Sequence, residues 1–386
     1  MSDFRLGVNY WPARSAMYWW DEYQPADLER DLAHLADWGF HEVRIFLLWE
    51  AFQPRPDQVS DMALRKLETA LTIGERRGIG VVPSLFCGHM SGVNWLPGWV
   101  VRPDAPTMSV RTISGGKVVP GGAGDIYADP ALVDAQVTLT RRLATVFRGH
   151  PGLAGWDLGN EFSNIRLPSS PDDAARWSAV LTEALRPSGV DVTGGLHAPD
   201  LETDLGIRIS SIARPWDVVS MHGYPLYSES ARMRDDPEWV PFVCATAARF
   251  AGKPVLAQEF GLPDHELGEE AVARYAEGVL QRLWWLGARG AYWWCFTDYV
   301  RSLRSLPPFD RAPHELHFGL LRSDGTAKPV LDAWRNFGRR QVLDKPFPGG
   351  PDEDTWYAGL PETMRDAYAA WIEERKVLQE TAEGIG

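Results

Sequence analysis

Two glutamates in otherwise apolar surroundings carry the most chemistry in this chain. Glu161 ends the stretch GLAGWDLGNEF, directly after Asn160, and Glu259 stands in KPVLAQEFG. In each, an apolar run delivers polarity at its C-terminal end, as a buried parallel strand does. If both strands belong to one barrel of parallel strands, both carboxylates face one bowl, because chemistry gathers at that end. A carboxyl pair across a bowl is what glycoside hydrolysis requires. One protonates the leaving oxygen, while the other attacks the anomeric carbon or activates water. Taken singly, Glu161 could instead cap the helix that follows it.

Other strand ends offer matching polar groups. Arg44 is set inside the apolar run EVRIFLLW, so it must be paired or must line a site. His89 follows GVVPSLF, His222 and Tyr224 close DVVSMHGY, and Trp293–Trp294 sit in GAYWWCFTDY. Which of the two tryptophans faces inward is open at this level.

These residues need a frame. Strands are expected at Leu6–Pro12, Glu42–Trp49, Gly80–Phe86, around Gly152–Phe162, and at Asp191–His197, Asp217–Tyr224, Lys253–Gly261 and Gly290–Tyr299. Between them, leucines at helical spacing and glycine stops predict helices over Asp27–Trp38 and Met62–Arg77. Further helices are expected at Ala131–Arg148, Asp173–Leu185, Trp239–Phe250, Glu269–Leu286 and Pro329–Arg340, while Asp200–Ala213 gives no clear pattern. Eight strand–helix alternations, with no dinucleotide-type glycine fingerprint after the first strand, predict a closed (β/α)8 TIM barrel. The barrel is assigned residues 1–344. Residues 345–386 read as a tail with a helix over Pro361–Leu378, packed on the barrel or on a partner chain. The long Gly-, Pro- and aromatic-rich segment Gly88–Pro130 is expected to be a lid or a wall of the site.

Composition excludes other classes. A net charge of −13 over 386 residues disfavours a nucleic-acid partner. No Lys/Arg-rich run and no apolar stretch of the ~20 residues needed to span a bilayer is present, so no membrane partner is expected. Strand-like sequence begins by Leu6, which leaves no room for a signal peptide and makes the cytoplasm the expected compartment. Cys87, Cys244 and Cys295 are far apart and flanked by apolar residues, so they read as core. Zinc-type His/Glu spacings are absent, and neither a metal nor a cofactor is expected. Eighteen tryptophans suit a protein that binds the C–H faces of sugars, although large cores also consume Trp.

Asn160–Glu161 on the fourth strand and Glu259 in QEFG on the seventh resemble the clan A glycoside hydrolases, and more closely glycoside hydrolase family 5. Arg44, His89, His222-Gly223-Tyr224 and Trp294 extend the resemblance over the barrel. The resemblance implies a retaining enzyme with Glu161 as acid/base and Glu259 as nucleophile. Arg44 and Tyr224 would hold Glu259 ionised, Asn160 would donate to the sugar 2-hydroxyl, and Trp294 would lie beneath the sugar. The motifs GVNYWPARSAMYWW, RIFLLWEAFQP and GHMSGVNWLPGW resemble those of actinobacterial β-mannosidases. They would place Trp11, Trp49, Glu50, His89 and Trp95 around the nonreducing sugar. The expected function is an exo-acting β-mannosidase on a small oligosaccharide, and the sequence leaves open whether it acts as a monomer or a homo-oligomer. The alternatives are a β-glucosidase or an endo-β-mannanase or glucanase of the same clan, and a noncatalytic carbohydrate-binding barrel.

Overall fold

The computed structural model describes residues 3–383. Eight parallel strands close into a barrel: β1 (Arg5–Asn9), β2 (Glu42–Leu48), β3 (Gly80–Cys87), β4 (Gly155–Asn160), β5 (Asp191–His197), β6 (Val219–His222), β7 (Val255–Phe260) and β8 (Gly290–Trp293). Each pairs with its sequence neighbours, and β8 returns to β1. The (β/α)8 barrel expected from the alternation is therefore the fold.

The helices outside follow their sequence signals. In Pro25–Asp37, Leu28, Leu32 and Leu35 fall on one face and are buried. Ser60 caps Asp61–Arg77 by accepting a hydrogen bond from the Ala63 amide, and Gly78 ends it with φ +69°. Between β5 and β6, where no periodicity was visible, the chain forms only two short helices, Pro199–Glu202 and Ile209–Ile212.

Strands β6 and β8 are shorter than the apolar runs suggest. After His222 and after Trp293 the chain leaves the ladder, which frees Tyr224 and Trp294 to face the bowl. Gly223 and Trp294 each keep their amide on β7, donating to the carbonyls of Glu259 and Phe260.

The segment after β3 is built rather than loose. His89–Met90, Val93–Trp95, Arg111–Ser114 and Lys117–Val119 form a small four-stranded sheet, and Val101–Arg102 pairs with Gly122–Ala123. Its Gly115 amide donates to Glu50.

The tail packs on the barrel. Trp356 donates to the Leu201 carbonyl and Tyr357 to that of Asp200, so the helix Glu353–Ala358 braces the turn after β5. Tyr368 and Trp371 donate to Asp236 and Glu238. Among the described residues, no helix is long and apolar enough to cross a membrane, and all three cysteines are buried and unpaired.

Candidate active site

Register assembles the site. His197, His222 and Glu259 are successive Cα partners across β5, β6 and β7. Asn160 pairs with Gly195, and the Glu161 amide donates to the Gly195 carbonyl. A Cβ on Gly195 would stand 2.2 Å from the Gly159 carbonyl oxygen, so only glycine lets the two strands approach this closely here. Glu161 itself has φ +47°, a left-handed conformation that is uncommon for non-glycine residues. That turn brings its carboxylate off the strand end and into the bowl.

Beneath the bowl lies Arg44, fully buried. Its Nη1 donates to Asn9 and to Glu259 Oε2, at 3.0 and 2.9 Å. Its Nη2 donates to Asp157 and Asn160, at 2.7 and 2.8 Å, and its Nε reaches Ser84 and Asp157. The sequence left open whether Arg44 is paired or lines a site. It is paired twice: with a structural carboxylate, Asp157, and with a site carboxylate, Glu259. Tyr224 donates to the other oxygen of Glu259 at 2.8 Å. Burial and the charge of Glu259 push the Tyr224 hydroxyl well above its ordinary value, so it remains a donor. Burial raises Glu259, helped by the negative charge of Glu161 and opposed by His222, Arg44 and Tyr224.

Glu161 sits among histidines. His222 Nδ1 lies 3.1 Å from Oε1, while His197 Nδ1 and His89 Nε2 lie 3.5 and 3.8 Å from Oε2. Asn164 donates to Oε2 at 3.1 Å. Burial works to raise the Glu161 carboxyl, but His197 and His222 outweigh it and hold the group well below the usual range. For His197, burial opposes the charged form, and the charges of Asp200 and Glu161 overcome it, lifting the ring to about 9. Ser163 bridges the pair, touching His197 Nε2 at 2.8 Å and donating to Asp200 at 2.7 Å. Across neutral pH the pair therefore holds one proton, carried on the His197 ring, with Glu161 ionised. Burial lowers His89, which stays neutral and holds Asn94 through Nδ1.

One oxygen of Glu161, one of Glu259 and a ring nitrogen of His222 all lie within 4.8 Å of one another. The cavity above them measures about 380 Å³. His89, Asn160, Glu161, His222, Tyr224, Glu259 and Trp294 line it. Trp293 points the other way, buried against Phe260 and Trp334 with its indole donating to the Phe318 carbonyl. Asn160 accepts from Arg44 and donates to the His89 carbonyl, which leaves one amide hydrogen for a substrate hydroxyl.

Trp11, Trp49, Glu50 and Trp95 do not line the cavity. Trp11 stacks on Phe46, Trp49 donates to Gln53, Trp95 meets Tyr18 edge-on, and Glu50 anchors the small sheet. Of the four, Trp11 backs the site through Phe46, which meets Trp294 edge-on. Three further residues belong to the site although no role was read for them. Asp157 alternates with Leu158 on β4, and that alternation is a signal for an inward position. His197 ends β5 and was findable by the rule that selected His222. Glu315 lies past β8, where the sequence carries no signal.

Neither a protein-family model nor a curated protein matches the chain. Solved structures do. An exo-beta-1,4-mannosidase from Opitutaceae bacterium strain TAV5 is 28% identical over 86% of this chain, with a TM-score of 0.73, and the chain spans 59% of that protein's length. A GH5_18 protein from Streptomyces cattleya, solved with Manb1-4GlcNAc, is 22% identical over 99% of this chain and 92% of its own, at a TM-score of 0.80. A GH5_18 protein from Bifidobacterium longum subsp. infantis is 21% identical over 91% of this chain and 82% of its own, at 0.75. The solved structures that this chain resembles thus include GH5-type proteins and an exo-beta-1,4-mannosidase, and the likeness runs over the whole barrel.

Proposed function

We propose that the protein is a retaining, exo-acting β-glycosidase, and specifically a β-mannosidase on short β-mannosides. The observation that carries this reading is the pair Glu161 and Glu259. Their oxygens come within 4.8 Å, near the ~5–5.5 Å carboxyl separation of retaining enzymes and short of the ~6.5–9.5 Å of inverting ones. Arg44 and Tyr224 orient Glu259 for attack on the anomeric carbon. The proton for the leaving oxygen passes from the His197 ring, 3.5 Å away, to Glu161 and from Glu161 to that oxygen. Once Glu259 is esterified its negative charge is gone, and Glu161 takes a proton from the incoming water. Trp294 supplies the apolar face beneath the ring, and the free amide hydrogen of Asn160 meets the 2-hydroxyl.

Manno-specificity is supported by the structural neighbours, one described as an exo-beta-1,4-mannosidase and another solved with Manb1-4GlcNAc. Exo action is supported by the small sheet after β3, which covers the β1 and β2 side of the bowl. A metal-assisted reaction through Glu161, His222 and Glu259 is disfavoured, because Arg44 already places a full positive charge on Glu259.

A panel of nitrophenyl glycosides, Manb1-4GlcNAc and polymeric mannan tests the reading. Turnover of the β-mannosides, with the β-anomer formed first by NMR and undiminished by EDTA, is expected. Preference for glucosides or polymer would favour the β-glucosidase or endo-acting alternatives. Binding without turnover of any glycoside would favour a noncatalytic barrel.

A further inference from the structure

Glu315 is a carboxylate for which the mechanism above has no use. It follows β8 in the short helix Pro313–His317, is 8% exposed, and lines the same cavity as Glu161 and Glu259. Its neighbours are uncharged or weakly basic. Ser91 donates to Oε2 at 2.9 Å, the Trp294 side chain donates to it, and Tyr227 stands 3.4 Å and His314 3.6 Å from Oε1. No Arg or Lys pairs with it among the described residues. Burial lifts it to about 7, with Glu259 adding to the rise and Ser91, Trp294 and Tyr227 opposing it.

Its place relative to the acid follows from the barrel. In the closed order, β8 stands four strands from β4, on the opposite side. The acid Glu161 on β4 must lie beside the leaving oxygen, so the aglycone lies on the β4 side. The far end of the glycone then reaches toward β8. There the bowl is shut. Ser91, after β3, meets Glu315, after β8, across the tops of β1 and β2, neither of which contributes a residue to the cavity lining. Arg111 of the small sheet repeats the link with a two-pronged contact to Asp310.

We infer that Glu315 receives the hydroxyls of the terminal sugar farthest from the scissile bond, its 3- and 4-hydroxyls, and that the Ser91–Glu315 contact is the closed end of the cleft. A carboxylate accepts two adjacent hydroxyls through its two oxygens, and a buried acceptor discriminates strongly against a substrate that lacks the donor. The inference rests on the glycosidase reading, because the role of Glu161 sets the direction of the sugar.

The test is a cycle between enzyme and substrate hydroxyls. Wild type and Glu315→Gln, with Glu315→Asp as a second variant should the first fail to fold, are assayed on p-nitrophenyl β-mannoside and its 3-deoxy and 4-deoxy forms. In wild type, removal of either hydroxyl should lower kcat/KM at least about tenfold, and in Glu315→Gln the same removal should cost less than about threefold. Ser91→Ala, which breaks the contact but keeps the carboxylate, should retain the wild-type penalty. Equal penalties in wild type and Glu315→Gln would overturn the inference. Should wild type turn over no glycoside, calorimetric titration with mannose and its 3- and 4-deoxy forms separates the two claims. Hydroxyl-dependent binding that vanishes in Glu315→Gln would sustain the role of Glu315 while the catalytic reading fell, and binding indifferent to the hydroxyls, or none, would overturn both.

Discussion

Arg44 and Glu259 meet at 2.9 Å inside the barrel, with the guanidinium wholly buried and every one of its N–H groups engaged. One side chain therefore joins Glu259 on β7 to Asn9 on β1, Ser84 on β3, and Asp157 and Asn160 on β4. A lysine could reach one or two of these partners but not all, since it lacks the planar fork. Arg44→Lys should lower kcat at least about a hundredfold, with a smaller effect on KM, and should depress Tm because Asp157 is left short of donors. Near-wild-type kcat would show that Glu259 needs no such support.

The roles proposed for Glu161 and Glu259 can be told apart. With Glu161→Ala, a dinitrophenyl glycoside needs no proton for departure, so the enzyme should still be glycosylated and then stall for want of a base. Added azide should restore turnover and yield the β-glycosyl azide. With Glu259→Ala the first step fails, and azide in the vacated space should give the α-glycosyl azide. Interchanged azide products would reverse the assignment.

The Glu161–His197 pair predicts a pH dependence of stability. The folded His197 ring is lifted to about 9, above the ~6.5 of an unfolded histidine. A raised folded value contributes stability that is fully present below pH ~6.5 and is lost as pH climbs through about 9. Wild-type denaturant midpoints should therefore fall between pH 6.5 and 9, and His197→Asn should flatten that slope. The alkaline limb of kcat/KM should move to lower pH in the same variant, because Glu161 loses the partner that holds its proton. An unchanged slope and an unchanged limb would show that His197 carries no proton in the folded protein.

The Arg111–Asp310 contact gives a handle on cleft closure. Both side chains are partly exposed, so Arg111→Ala should cost no more than about 1 kcal/mol of stability. If this contact helps to shut the glycone end, activity on mannan relative to Manb1-4GlcNAc should rise. A constant ratio would assign closure to the Ser91–Glu315 contact alone.

Ending the chain at Gly350 would remove Trp356, Met364, Tyr368 and Trp371, all buried against the barrel. It would uncover Phe242, which packs on Tyr368 at 4.8 Å between ring centroids. A Tm lower by at least about 5 °C is expected by differential scanning fluorimetry. Because Tyr357 holds the Asp200 carbonyl, the truncated chain should also lose activity at temperatures where it is still folded.

The barrel and its two carboxylates were legible in the sequence because both rest on local patterns. Strand faces, helix stripes and glycine stops repeat over short windows, and polarity at a strand's end marks the catalytic rim. Glu161, Glu259, His222 and Tyr224 stand where those patterns put them. Periodicity left Trp293 and Trp294 open and the family resemblance favoured Trp294, which the structure places in the cavity lining where β8 leaves the ladder. The two short helices after β5 were invisible because they are held by the tail, Trp356 on Leu201 and Tyr357 on Asp200, and not by their own periodicity. Trp11, Trp49, Glu50 and Trp95 lie in sequence beside the site, yet each is taken up by packing or by the small sheet after β3 and none lines the bowl. Glu315 shows the converse: 224 residues separate it from Ser91, and only closure of the barrel brings the two together. Short-range periodicity determines which face a residue presents. Which residues share a cavity is decided by barrel closure and by where the long connections land.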